Sequence, residues 1–259
     1  MINIKNAERI FMEYANLYDA ENLMIKRKIE HTFRVEENSK IIAESLNLSE
    51  TDIALSTIIG LLHDIGRFEQ QRIAHSYNDL KTGIDHASMG VKVLFEDEKI
   101  NDFIPDTREY DKIIKNAIEY HNKFKIPDEL SEKEKIFCKI IRDADKLDIL
   151  EIFVINGEDT ITIGKNNGYE VTPDITKEFL EALFNGKQID RKYQKYFLDW
   201  YLNTLTFLFD INYSKSFEII KNKEYVNKTI DLIEKIVVED KEIFERIRQY
   251  MNNYVKEKI

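Results

Sequence analysis

The chain has 259 residues, a formal net charge of −10 and a sequence pI near 5.2. That acidity excludes a nucleic-acid duplex or an anionic membrane surface as the main partner, because binding a polyanion needs a basic footprint. Only eight glycines and three prolines punctuate it, so composition predicts an all-α fold of long helices with short connections. No internal repeat, low-complexity tract or flexible linker marks a boundary, and residues 1–259 are expected to form a single domain. No apolar run approaches the ~20 residues of a membrane span and the first residues lack a secretory apolar core, which gives the expectation of a cytoplasmic protein away from membranes. The one cysteine, Cys138, lies in a helical apolar run and is expected to be a reduced, buried thiol.

From Ile4 to Leu46 the apolar spacing is helical, with a break near Tyr18 to Asn22, and His31 shares a stripe with Met24, Val35 and Ile42. Ser49 followed by Asp52 predicts a capped helix that runs through Ile53, Leu55, Ile58, Ile59 and Leu62 until Gly66 lets it stop, leaving His63 and Asp64 in its last turn. Residues 67–82 read as polar and irregular after one turn, with His75 facing solvent. Asp85 then caps a helix whose inward face begins at His86. Ile114, Ala117, Ile118 and His121 fall at i, i+3, i+4 and i+7 of a further helix.

Ser131 opens a long helix that is apolar most of the way round and therefore central in its domain. Asp145 lies on its Cys138/Ile141/Ile149 line and Asp143 on its Ile136/Ile140/Leu147 line, so periodicity leaves open which carboxylate faces a site. Residues 157–172 break the rhythm and read as a short hairpin or an ordered loop. Helices resume from Pro173 to the end. The aromatic segment Tyr193, Tyr196, Phe197, Trp200, Tyr201, Phe207 and Phe209 is expected first as core and second as a pocket rim.

The adjacent His63-Asp64 pair at the end of an apolar helix is hard to explain as packing. Both side chains need buried partners, and a divalent metal can satisfy both at once. Histidines on inward helical faces, together with Asp64 and the Asp143/Asp145 pair, are the ingredients of a mixed imidazole and carboxylate metal centre.

These residues resemble the HD-domain metal-dependent phosphohydrolases, whose signature is a histidine, a later His-Asp doublet and a distal aspartate on a central helix. His31, His63-Asp64 and an aspartate in RDADKLD agree in type, order and helical context over about residues 20–155. The resemblance implies an HD-domain helical bundle with additional C-terminal helices over about 173–259. It selects Asp145 as the distal ligand, since Lys146 and Leu147 follow it, and leaves Asp143 a supporting or structural role. His86 and His121 resemble the extra ligands of the dinuclear branch, where the doublet's aspartate, here Asp64, bridges two ions. The alternative is that they are hydrogen-bond donors around one metal.

Implied with the family are one or two divalent ions, of Mn, Fe, Ni, Co, Zn or Mg, on His31, His63, Asp64, His86, His121 and Asp145. They would activate a hydroxide that hydrolyses a soluble phosphate ester or nucleotide, a small anionic substrate. Arg67 is a candidate clamp on a substrate phosphate, with a surface salt bridge as the alternative. Lys146 is a candidate stabiliser of the leaving phosphate, and Asp148 could orient a ligand or serve as a cap. Segments of the cyclic-dinucleotide phosphodiesterases of this superfamily are missing, since the region after Tyr120 reads HNKFKIPDEL. Competing readings are a di-iron oxygenase of the same fold and a non-catalytic nucleotide-binding sensor. A homodimer is left open.

Overall fold

The computed structural model describes residues 2–19, 21–157, 159, 169, 172, 174–189, 193–236 and 241–259, and among them every regular element is helical. In chain order these are α1 (Ile4–Ala15), α2 (Leu23–Ser45), α3 (Glu50–Leu62), α4 (Gly66–Ala74), α5 (Asp79–Thr82) and α6 (His86–Val91), which continues into a π-helical turn over Lys92–Glu96. Then follow α7 (Ile100–Phe103), α8 (Asp111–Tyr120), α9 (Glu132–Asn156), α10 (Lys177–Phe184) and α11 (Phe197–Thr206), the last running on into a 3-10 turn. Three helices close the chain, α12 (Ser214–Asn222), α13 (Tyr225–Ile236) and α14 (Lys241–Lys258). The hairpin or loop expected over 157–172 lies outside the described residues, apart from Gly157, Asp159, Tyr169 and Thr172. Among the described residues, no helix is long and apolar enough to cross a membrane.

Contacts group the chain into two compact units, residues 1–145 and 146–259, divided within α9. In the first unit, α2 and α3 make the most extensive helix pair. Their approach depends on Gly60, where a Cβ would lie 2.8 Å from the Cα of Glu36 and 3.0 Å from the Val35 carbonyl oxygen. Around that contact Val35, Ile42, Leu55, Ile58 and Ile59 are buried. Burial of side chains of this size contributes roughly 1.5–3 kcal/mol each. The predicted caps are present: Ser49 Oγ accepts from the Asp52 amide at 3.2 Å, and Asp85 Oδ1 accepts from Ala87 and Ser88. At Ser131 the side chain accepts from the Glu134 amide while Glu134 accepts from the Ser131 amide, a reciprocal box.

Gly66 differs from its expected role. It opens α4 rather than ending α3, so the stretch that reads as irregular from the sequence is helical over Gly66–Ala74 and again over Asp79–Thr82. The polar residues there satisfy one another: Gln70 donates to Asp79 Oδ1 at 2.8 Å and to the Ile84 carbonyl at 3.1 Å. His75 sits exposed at the end of α4 in the left-handed region, φ 50°.

Glu36 is a buried carboxyl on α2, and its Oε1 has no hydrogen-bond partner among the described residues. Burial, with Glu8 and Glu37 nearby, pushes its pKa up from 4.5 to about 8. The folded state therefore keeps a proton that the unfolded chain releases, so this group's contribution is intact below about pH 4.5 and is lost as pH rises to about 8. Glu36→Gln is expected to flatten that decline and to be more stable than the parent at pH 8.5 by a few kcal/mol. Urea denaturation at pH 5 and pH 8.5 measures it, and equal pH slopes in the two proteins would refute the assignment.

In the second unit, the aromatic segment is largely core. Phe197 and Tyr201 are fully buried, and Phe153 meets Trp200 and Tyr201 with ring centroids 5.2 and 5.5 Å apart, whereas Tyr193 is exposed. Asp199 joins the start of α11 to α10. Its carboxylate accepts from the amides of Thr176, Lys195 and Tyr196 and from the Thr176 hydroxyl.

Candidate metal centre

Within the first unit, six side chains from five segments converge: His31 from α2, His63 and Asp64 from the turn after α3, His86 from α6, His121 from the end of α8 and Asp145 from α9. His31 Nε2 lies 3.1 Å from His63 Nε2 and 3.4 Å from Asp145 Oδ1. His86 Nε2 lies 3.1 Å from His121 Nε2. Asp64 stands between the two pairs and divides its oxygens. Its Oδ2 is 3.3 Å from His31 and 3.7 Å from His63, while its Oδ1 is 3.5 Å from His86 and 3.8 Å from His121. His31, His63 and Asp64 form one group able to hold an ion, and Asp64, His86 and His121 form another.

Local structure fixes the rings. His63 and His121 each follow the last residue of a helix, and each Nδ1 donates at 2.7 Å to the carbonyl three residues back, Gly60 for His63 and Ile118 for His121. A carbonyl only accepts, so Nδ1 carries the proton and Nε2 presents a lone pair inward. His86 Nδ1 meets Asp79 Oδ2 at 2.5 Å, which gives its ring the same polarity. Asp79 is itself held by Arg67, whose Nη1 donates to Asp79 Oδ1, to Gln70 Oε1 and to the Tyr77 carbonyl at 2.7–2.8 Å. Arg142, buried on α9, donates to the Tyr120, His121 and Lys123 carbonyls and thereby anchors the turn that carries His121.

A divalent cation fits this arrangement. The His86 and His121 lone pairs face each other at 3.1 Å, a repulsive contact unless positive charge lies between them. Burial, with His86 alongside, pushes the His121 pKa down to about 3, and burial likewise lowers His63, which favours the neutral form of both rings near neutrality. Asp64 Oδ1 is buried with no hydrogen-bond partner among the described residues, a state that costs free energy until a cation meets it. Burial alone would raise the Asp64 pKa, but Lys28, His63 and Arg67 together hold it well below the usual carboxylate range. Asp145 is also held down, with His31, His63 and His121 outweighing its burial. Two ionised carboxylates and neutral imidazoles are the ligand types that bind Zn, Fe, Mn or Ni.

The remaining sequence candidates are distributed as follows. Arg67 is largely buried and engaged with Asp79, Gln70 and Tyr77, with its Nε 3.5 Å from Asp64 Oδ1. Lys146 Nζ pairs with Asp210 Oδ2 at 2.7 Å in the second unit. Asp143 and Asp148 are buried, and Cys138 is buried with its thiol pushed up to about 12 by burial. Sequence reasoning missed three contributors: Lys28, whose Nζ lies 2.5 Å from Asp64 Oδ2, Asp79 and Arg142. Lys28 stands three residues before His31, hence on the same helical face, and that spacing was the available signal. Asp79 and Arg142 carried none.

Residues 29–150 match the family model of the HD domain. No curated protein and no solved structure matches the chain. The matched segment contains all six converging side chains, and residues 29–150 belong to the HD-domain superfamily.

Proposed function

We propose that this protein is a metal-dependent phosphohydrolase of the dinuclear type, acting on a soluble phosphate ester or nucleotide. The observation that carries the reading is the division of Asp64, with one oxygen toward His31 and His63 and the other toward His86 and His121. His31, His63, Asp64 and Asp145 would hold one ion, and Asp64, His86 and His121 the second. Divalent ions in such a pair supply an acidified water and Lewis-acid polarisation of a phosphoryl oxygen when bound.

The chain's own residues prepare that chemistry. Backbone carbonyls of Gly60 and Ile118 keep two rings in one tautomer, and Asp79 does so for His86. Arg67 braces Asp79 and stands beside Asp64. His63 is inaccessible, and solvent reaches the cluster along the side chains of Asp145 and Lys28, each 19% exposed, and Arg67, 15% exposed. The proposed approach for a small anionic substrate is along that edge, where both positive side chains stand.

The test is elemental analysis of the isolated protein, followed by loading with Mn, Fe, Ni, Co, Zn or Mg and screening of nucleotides and a chromogenic phosphate ester. The expected result is ion uptake at both halves of the cluster with phosphate release under at least one metal. Occupied sites without turnover under any metal would overturn the hydrolase reading; ligand binding without product would mark a sensor. Oxygen consumption confined to the iron-loaded protein would mark an oxygenase.

A further inference from the structure

Lys28 occupies a position that the metal reading leaves unexplained. Its ammonium lies 2.5 Å from Asp64 Oδ2, the same oxygen that faces His31 and His63. A cation held by those two imidazoles and Asp64 would therefore meet a second cation already on its carboxylate. Lys28 is not locked there. Its Nζ is 5.7 Å from the centroid of the Tyr77 ring, and its side chain retains partial exposure, so the flexible stem can carry the charge away from Oδ2 along that ring. Tyr77 is itself tied to the start of α2 through its hydroxyl, which donates to the Met24 carbonyl at 3.2 Å.

The same ring has a second cation beside it. The Arg67 guanidinium carbon lies 5.9 Å from the Tyr77 centroid. Arg67 commits Nη1 to three acceptors, but its Nε is buried with no hydrogen-bond partner among the described residues, 3.5 Å from Asp64 Oδ1. Once Lys28 leaves Asp64, its ammonium stands at the partly exposed edge of the centre, and behind it the buried Arg67 N–H faces Asp64 Oδ1 at 3.5 Å, too long for a hydrogen bond. Lysine presents a point charge suited to a non-bridging phosphate oxygen, and an arginine N–H adds direction to it.

We propose that Lys28 is a placeholder cation on Asp64 in the metal-free protein and becomes, with Arg67 Nε, the grip on the substrate's phosphoryl group when metal displaces it. This rests on the metal reading of the cluster. It makes metal binding and phosphate binding respond to Lys28 in opposite directions, which a merely structural ion pair would not do.

The experiment uses Lys28→Met, which keeps the stem and removes the charge, and Lys28→Arg, which restores a charge. Metal-free protein is titrated calorimetrically with Mn(II), and the Mn-loaded protein is then titrated with inorganic phosphate, folding being checked by circular dichroism. Lys28→Met is expected to bind Mn(II) at least about threefold more tightly than the parent and phosphate at least about tenfold more weakly, with Lys28→Arg recovering most of the phosphate affinity. In turnover the loss should fall mainly on KM. Weakening of both ligands together identifies Lys28 as a brace for Asp64 and overturns the proposal, as does an unchanged phosphate affinity. A parent protein that takes up no Mn(II) fails one step earlier, at the metal reading itself.

Discussion

Asp64→Asn is expected to reduce metal uptake at both halves of the cluster to under about a tenth of the parent's, whereas His121→Ala should empty only the half formed with His86. The asymmetry follows from Asp64 supplying one oxygen to each pair of histidines, while His121 Nε2 faces His86 Nε2 and Asp64 Oδ1. Asparagine keeps the shape of the side chain and removes the charge that offsets a dication in a buried site. The measurement is metal content after equilibrium dialysis. A second readout is thermal stability: metal at a hundredfold excess over its Kd stabilises a folded protein by about 2.7 kcal/mol, and that increment should vanish in Asp64→Asn. Full uptake by this variant would show that the two halves do not share Asp64.

Gly66→Ala is expected to lower stability by at least about 3 kcal/mol, the upper part of the range for forced overpacking, and to remove the ion held through His86. A Cβ at position 66 would sit 2.3 Å from the His86 carbonyl oxygen and 2.4 Å from the Gly90 amide nitrogen. Both are backbone atoms, so no rotamer change relieves the clash and α4 must separate from α6. His86 would then move away from Asp64. Thermal melts with metal counting test this, and a variant with parent-like melting and full metal content would refute the argument.

The side chains that converge were legible in the sequence because each carries a local signature. His31, His86 and His121 lie on apolar stripes or behind a recognisable cap, and His63-Asp64 ends an apolar helix, so helical period alone turns them inward. Asp145 was not separable from Asp143 by period, since α9 is apolar on both lines; family resemblance favoured it, and it stands 3.4 Å from His31. The path after Asp64 was misread because its polarity looked like that of a loop. Gln70, Arg67 and Asp79 are polar for one another, a satisfaction that exists only once the segment is folded. The same reason hid Asp79, and Arg142 was hidden because its acceptors are carbonyls some 20 positions upstream. The two-unit grouping left no trace in composition, for the division falls inside a continuous helix.

His63 and His121 each terminate a helix with the ring that also turns inward, and this ties helical phase to coordination. Advancing α3 or α8 by one residue would rotate the following side chain by about 100°, aim a different atom at the centre and leave the carbonyl of Gly60 or Ile118 without its donor. Insertions and deletions within those two helices should therefore be purged, while drift in length is free to accumulate in the connections beyond them, such as the segment between His121 and Ser131.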